Sequence, residues 1–229
     1  MFNLIKESWA IFWSNKRPFI WAALVYLAAQ ALFVSLGRSS AFLHPSLVAV
    51  AMIADWLVVS ILAAGFITIS LKAVSGQMVL VTDLLRLRTK DLLYLICLNF
   101  LFLVALSLPM MAVMFILFSL QTSGLGYLFL AFGLFIAVSL LISLLLFTFF
   151  GLSYFIIFDK QLNPIKALIN SWTITKGDHW LMIKTIVVVF GLLLVGKVTI
   201  IGSLVTLPLA FIFLALVYRQ ITTKELPMI

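Results

Sequence analysis

Residues 92–120 read LLYLICLNFLFLVALSLPMMAVMFILFSL, a stretch without one charged side chain. About 20 residues at about 1.5 Å rise cross a hydrocarbon core of about 30 Å, so a run of this length reads as a membrane span. The alternative in lipid is a closed barrel, whose strands alternate polar and apolar residues, and this run does not alternate. Composition agrees. Of 229 residues, 65% are hydrophobic and 10% charged, with a mean hydropathy of +1.29, which leaves too little polar surface to cover a soluble core. The expected fold class is all-α: a polytopic bundle of transmembrane helices, one domain over residues 1–229.

Working outward from that run, the expected spans are Phe19 to Leu36, Leu47 to Leu71, Leu92 to Leu120, Leu125 to Phe158, Trp180 to Gly196 and Ile201 to Tyr218. Pro109 removes one backbone donor from the third and is expected to kink it. The fourth would measure about 50 Å as one helix, so it must tilt or project from the bilayer. Thr185 to Tyr218 is equally long but is split, because Gly191, Gly196, Lys197, Gly202 and Pro208 punctuate it where a reverse turn would fall. Left unsplit, it gives five spans.

Charge orients the map. When the N-terminus, residues 72–91, residues 159–184 and the C-terminus share a side, that side holds every one of the 15 Lys and Arg except Arg38 and Lys197. By the positive-inside rule that side, with both termini, is cytoplasmic. The formal charge of +8 is then a consequence of topology, and no nucleic-acid partner is expected. Lys16-Arg17 before an apolar core and Ala29-Gln30-Ala31 also suggest a cleaved signal peptide. The preceding segment is amphipathic rather than a short basic lead, so the first span is read as a retained helix.

Each odd-numbered span follows a short segment of helically spaced apolar residues that ends in basic residues. These are Phe2, Ile5, Trp9 and Phe12 before Lys16-Arg17; Leu80, Leu84, Leu85 and Leu87 before Arg88 and Lys90; and Ile165, Leu168, Ile169 and Trp172 before Lys176. Such stripes suit helices lying in the membrane interface, expected at about 2–14, 78–88 and 164–176. In the third, Asn163 is placed to cap and Pro164 to open the helix. The pattern is a threefold repeat of interfacial helix plus hairpin, or simply the rhythm of any polytopic chain with basic loops.

Residues 158–172, FDKQLNPIKALINSW, followed by TKGDHW over 175–180, carry an Asp at a span end, an Ala-Leu-x-x-Ser helix and a Lys-Gly before a Trp-led span. Together with Ser75-Gly76 and Asp83-Leu84-Leu85, this resembles a family of bacterial inner-membrane proteins related to the membrane domain attached to some glycerophosphoryl diester phosphodiesterases. The matching stretches cover about a quarter of the chain. The resemblance implies a bacterial cytoplasmic membrane and a helical bundle. Hydrolysis is not carried over, because no stretch of residues 1–229 is expected to form a soluble catalytic domain.

Among polar residues, Asp55 is the acid set deepest in a span, where a charge costs on the order of 3 kcal/mol unless paired. Its depth matches that of Lys197, and an Asp55–Lys197 pair is expected, either tying two helices or serving a small transporter or channel. Lys16, Arg17, Arg86, Arg88, Lys90, Lys166, Lys176 and His179 are the candidate contacts for anionic lipid headgroups. Cys97, inside an apolar run, reads as a packing residue. His44 stands alone in an outer loop. No His, Cys or carboxylate cluster has metal-ligand spacing, and there is no nucleophile triad, Walker loop or dinucleotide glycine pattern. The expectation is a non-enzymatic protein without metal or cofactor that interacts with lipid or joins an envelope assembly. A homo-oligomer or an envelope protein is the expected partner besides lipid. A membrane-embedded enzyme using Asp159, Asp178 and His179 is the remaining class.

Overall fold

The computed structural model describes residues 1–41, 45–119, 124–198 and 200–225, and His44 lies outside them. Among the described residues the chain forms nine α-helices and one 3-10 turn. They are α1 (Phe2–Ser14), α2 (Lys16–Ala41), α3 (Pro45–Val74), the turn Val81–Leu84, α4 (Thr89–Ser119), α5 (Gly124–Phe150), α6 (Ser153–Lys160), α7 (Pro164–Gly177), α8 (His179–Val198) and α9 (Ile200–Glu225). In lipid every backbone N–H and C=O must find a partner within the segment, so apolar sequence resolves into helix. Six stretches are long and apolar enough to cross a membrane: Lys16–Leu36, Ser46–Val74, Thr89–Pro109, Phe135–Lys160, His179–Val198 and Gly202–Thr223. The chain is a multi-pass membrane protein.

The split of residues 185–218 is real, and it rests on small residues. Ser203 Oγ donates to the Gly196 carbonyl at 2.8 Å. A Cβ at position 196 would run into the Thr206 hydroxyl, so only glycine lets α8 and α9 close into this tight hairpin. Gly133 and Gly191, by contrast, face open space. The sixth span proves central: 61% of its most apolar window is buried, against 11–17% in the other five.

Two expectations are corrected. No α-helix forms over 78–88. Gly76, at φ +71°, ends α3, and the chain then runs without regular structure to the single 3-10 turn at Val81–Leu84. Leu84 is buried with Phe19, Ala22, Ala23 and Phe66, and a Cβ on Gly65 would strike its carbonyl oxygen. The segment therefore re-enters the bundle to a level roughly two and a half helical turns inside the end of α3, instead of lying flat. With it goes the threefold repeat, leaving α1 and α7 as the two of the three expected segments that form α-helices.

The expected helix 125–158 is also broken, at Gly151–Leu152, into α5 and α6. Carbonyls at the break find partners: Gly151 N–H donates to Phe147, Ser153 Oγ to Phe150, and Ser171 Oγ from α7 to Phe149 at 2.9 Å. Trp172 packs beside it, tilted against Phe149 and stacked on Phe150 at ring separations of 4.6 and 5.7 Å. α4, by contrast, runs on through Pro109.

Two hydrophobic clusters lie on either side of α3 and α9. One joins Ile67 and Leu71 to Leu98, Ile156, Phe213 and Tyr218. The other joins Phe66 and Ile69 to Phe12, Phe19, Leu84 and Ile212. Both sit at the end of the bundle that carries α1, the 77–88 segment and α7, hereafter the basic end. Towards the other end, no described side chain on α2 beyond Ala23, on α3 before Ser60, or on α4 beyond Leu98 is fully buried. Apart from the α8–α9 contact at Gly196 and Thr206, the fully buried described side chains concentrate at the basic end.

Candidate functional site

The basic end is built from two helices that each present two faces. On α1, Ser8 and Phe12 turn inward, while Phe2, Ile5, Trp9 and Trp13 form an outward row with Phe2 78% exposed. On α7, Ala167, Ser171, Ile174 and Thr175 turn inward, while Ile165, Ile169 and Trp172 point outward with Ile165 65% exposed. Local sequence fixes α7. Asn163 Oδ1 accepts the Lys166 N–H at 2.8 Å, and Pro164 occupies the first turn, where its missing N–H costs nothing. An apolar row on the outside of a helix at a bundle's end fits the headgroup–acyl boundary.

The cations share that end. Lys16, Arg17, Arg86, Arg88, Lys90, Lys166, Lys176 and His179 are all exposed. Three lysines sit over aromatic rings at the start of the odd-numbered spans: Lys16 over Trp13 at 5.1 Å, Lys90 over Tyr94 at 5.9 Å and Lys184 over Trp180 at 6.0 Å. Each such contact is worth about 0.5–1 kcal/mol at an exposed site. It holds the ammonium at the level of the ring while leaving it free to meet an anion.

Lys72 behaves differently. Its Nζ lies 2.8 Å from Asp83 Oδ1, and the other Asp83 oxygen accepts the Leu80 N–H at 3.1 Å. Burial alone would raise the Asp83 carboxyl. The Lys72 and Leu80 hydrogen bonds, with the charges of Lys72 and Arg86, outweigh that and hold it below its ordinary value. This pair clamps the re-entrant segment, and the acid within a basic loop was the sequence signal for it.

Inside the membrane the expected Asp55–Lys197 pair is absent. Asp55 Oδ1 instead accepts from Gln30 Nε2 at 3.3 Å, joining α2 to α3, while Lys197 is exposed on α8. Equal depth does not bring residues to the same side of a bundle, and α8 packs mainly on α9. A polar chain that the sequence reading missed lies deeper. Tyr154 donates to Asn99 Oδ1 at 2.7 Å, Asn99 Nδ2 to Ser60 Oγ at 2.9 Å, and Ser60 to the Trp56 carbonyl at 2.7 Å. It ties α6, α4 and α3 together. Its legible signal was Asn99, a lone amide in an apolar run.

Asp159 Oδ2 accepts from Tyr218 at 2.7 Å, and Cys97 is exposed on α4 rather than packed in the core. Among the described residues no three His, Cys, Asp or Glu gather as a metal site would require. What the basic end offers chemically is a rim of exposed cations above outward apolar rows. Comparisons with protein-family models, with curated proteins and with solved structures return no match.

Proposed function

We propose that the chain is a non-enzymatic, multi-pass protein of a bacterial cytoplasmic membrane whose basic end faces the cytoplasm and binds anionic lipid headgroups. In this reading it serves a lipid-related or envelope assembly, as a homo-oligomer or with another envelope protein. One observation carries the lipid reading: the outward rows of α1 and α7 lie at the same end as the exposed lysines seated over Trp13, Tyr94 and Trp180. Acyl chains favour the rows, and phosphates favour the ammonium groups. The bacterial assignment draws on the resemblance of residues 158–180, and the orientation draws on the charge bias.

Native mass spectrometry of the purified protein is the test. Phosphatidylglycerol should be retained in preference to phosphatidylcholine, and replacing Lys16, Arg17, Arg86 and Arg88 together by Gln should remove the preference. Equal retention of the two lipids by the unaltered protein would contradict the reading.

A further inference from the structure

Between α1 and the segment that follows α3 lies an open groove of about 590 Å³, with Glu7, Ile11, Ser14, Asn15, Val74 and Gln77 in its wall. Clefts that hold small molecules run to about 300–1,000 Å³. The groove sits at the basic end of a chain of formal charge +8, yet among the described residues of its wall there is no Lys or Arg. Glu7 is exposed, and among the described residues no ion pair or hydrogen bond engages its carboxylate.

The polar groups at the other end of the groove have spent their donors. Ser14 Oγ gives its hydrogen to the Ile11 carbonyl at 2.9 Å. Asn15 Nδ2 donates to the same carbonyl at 3.2 Å and to Ser14 Oγ at 3.0 Å. A carbonyl only accepts, so the orientation of the Asn15 amide is fixed. What remains is acceptor capacity, a lone pair on Ser14 Oγ and the Asn15 Oδ1. Both residues stand at the C-terminal end of α1, where the helix dipole favours a cation and the last turn supplies none. Lys16, which follows, is drawn over Trp13. The corresponding end of α3 is already served, by Lys72 in its last turn and by Arg219 through Ser75 Oγ.

Glu7, Ile11 and Ser14 are spaced four and three apart, so they follow one another along one face of α1. The wall therefore runs from a carboxylate past an apolar side chain to a pair of acceptors over about 10 Å, at about 1.5 Å per residue. One ammonium cannot touch both ends. Two ammonium groups joined by methylenes match that order, because each brings donors and no acceptor, and the methylenes lie along Ile11 and Val74. This face is across the helix from Phe2, Trp9 and Trp13. With that apolar row in the membrane boundary, the groove opens to water.

We propose that the groove binds a soluble linear polyamine, one ammonium on Glu7 and a second on Ser14 and Asn15. Its opening to water rests on the placement of α1 given above, whereas the cation-accepting wall does not.

Calorimetric titration of the detergent-purified full chain with spermidine, and with butylamine as a single-ammonium control, is the test. Spermidine should bind about tenfold more tightly than butylamine. Glu7→Gln, a change at an exposed side chain, should weaken spermidine about tenfold through the loss of one charge-assisted hydrogen bond. Asp91→Asn, which alters an acid outside the groove in the first turn of α4, should leave binding unchanged. The variant with Gln at 16, 17, 86 and 88 should keep the Glu7 dependence, so that failure of the rim and failure of the groove are told apart. Equal binding of the two amines, an equal loss in Asp91→Asn, or an affinity untouched by Glu7→Gln overturns the proposal. Glu7-dependent retention of phosphatidylethanolamine over phosphatidylcholine, without spermidine binding, also overturns it and assigns the groove to a lipid ammonium.

Discussion

The Lys72 ammonium and the Asp83 carboxylate meet at 2.8 Å, and through that contact the segment following α3 is tied back onto the helix it has just left. The pair is partly screened, since the Lys72 side chain is 36% exposed against 5% for Asp83. It supplies one lock on the re-entrant turn, and the Leu84–Gly65 approach supplies the other.

Asp83→Asn should therefore destabilise the protein at neutral pH by about 1–2 kcal/mol, a value discounted for the exposure of Lys72. Because the Asp83 carboxyl titrates below its ordinary value, its contribution is complete above about pH 4, where a free carboxylate ionises. It is lost as pH falls through the lower folded-state value. Thermal unfolding in detergent at pH 7 and pH 3 checks this: the gap between native protein and variant should narrow at pH 3. A gap of equal size at both values would show that the ion pair is not its source.

Gly65→Ala should push the turn out of the bundle, because the new methyl meets backbone rather than a flexible side-chain tip. A loss of about 1–3 kcal/mol is expected, as for overpacking in general. Protease cleavage after Arg86 or Arg88 should quicken in parallel. Unaltered cleavage and stability would mean that residues 77–88 do not re-enter.

Asn99→Leu removes the link between Tyr154 and Ser60 and should cost about 1–2 kcal/mol, the range for interhelical hydrogen bonds in lipid. A double-mutant cycle with Tyr154→Phe should show coupling, and strict additivity would count against the chain.

Asp55→Asn keeps an acceptor for Gln30, so stability should change by less than about 0.5 kcal/mol, and phosphatidylglycerol retention should not change. A proteoliposome flux present in the native protein and lost in this variant would favour the transporter reading instead.

What the sequence revealed, and what it did not, follows from the range of each interaction. The apolar runs mark the spans because lipid imposes a local, per-residue requirement. The turn near Gly196 was legible for the same reason, as were the Asn163 cap and the Pro164 start of α7. The re-entrant 77–88 segment was misread because Leu80, Leu84, Leu85 and Leu87 are spaced as on a helix whichever way they are used. Only the meeting of Asp83 with Lys72 and of Leu84 with Gly65 decides between the two uses. The partners of Asp55 and Asn99 were missed because each lies on another helix, at a rotation that depth alone does not determine. Likewise, Gly151 gave no sign that the carbonyl freed near it would be taken up by Ser171.

The measurement that bears most directly on the whole account is sided labelling of single cysteines in a Cys97→Ser background, in intact cells and in opened membranes. Cysteines at Met78, Gln161 and Thr223 should react with an impermeant reagent only after the membrane is opened, which puts the loops and the last helix's end together inside. Labelling of Met78→Cys or Gln161→Cys in intact cells would reverse the orientation, and labelling of Thr223→Cys alone would reduce the six crossings to five.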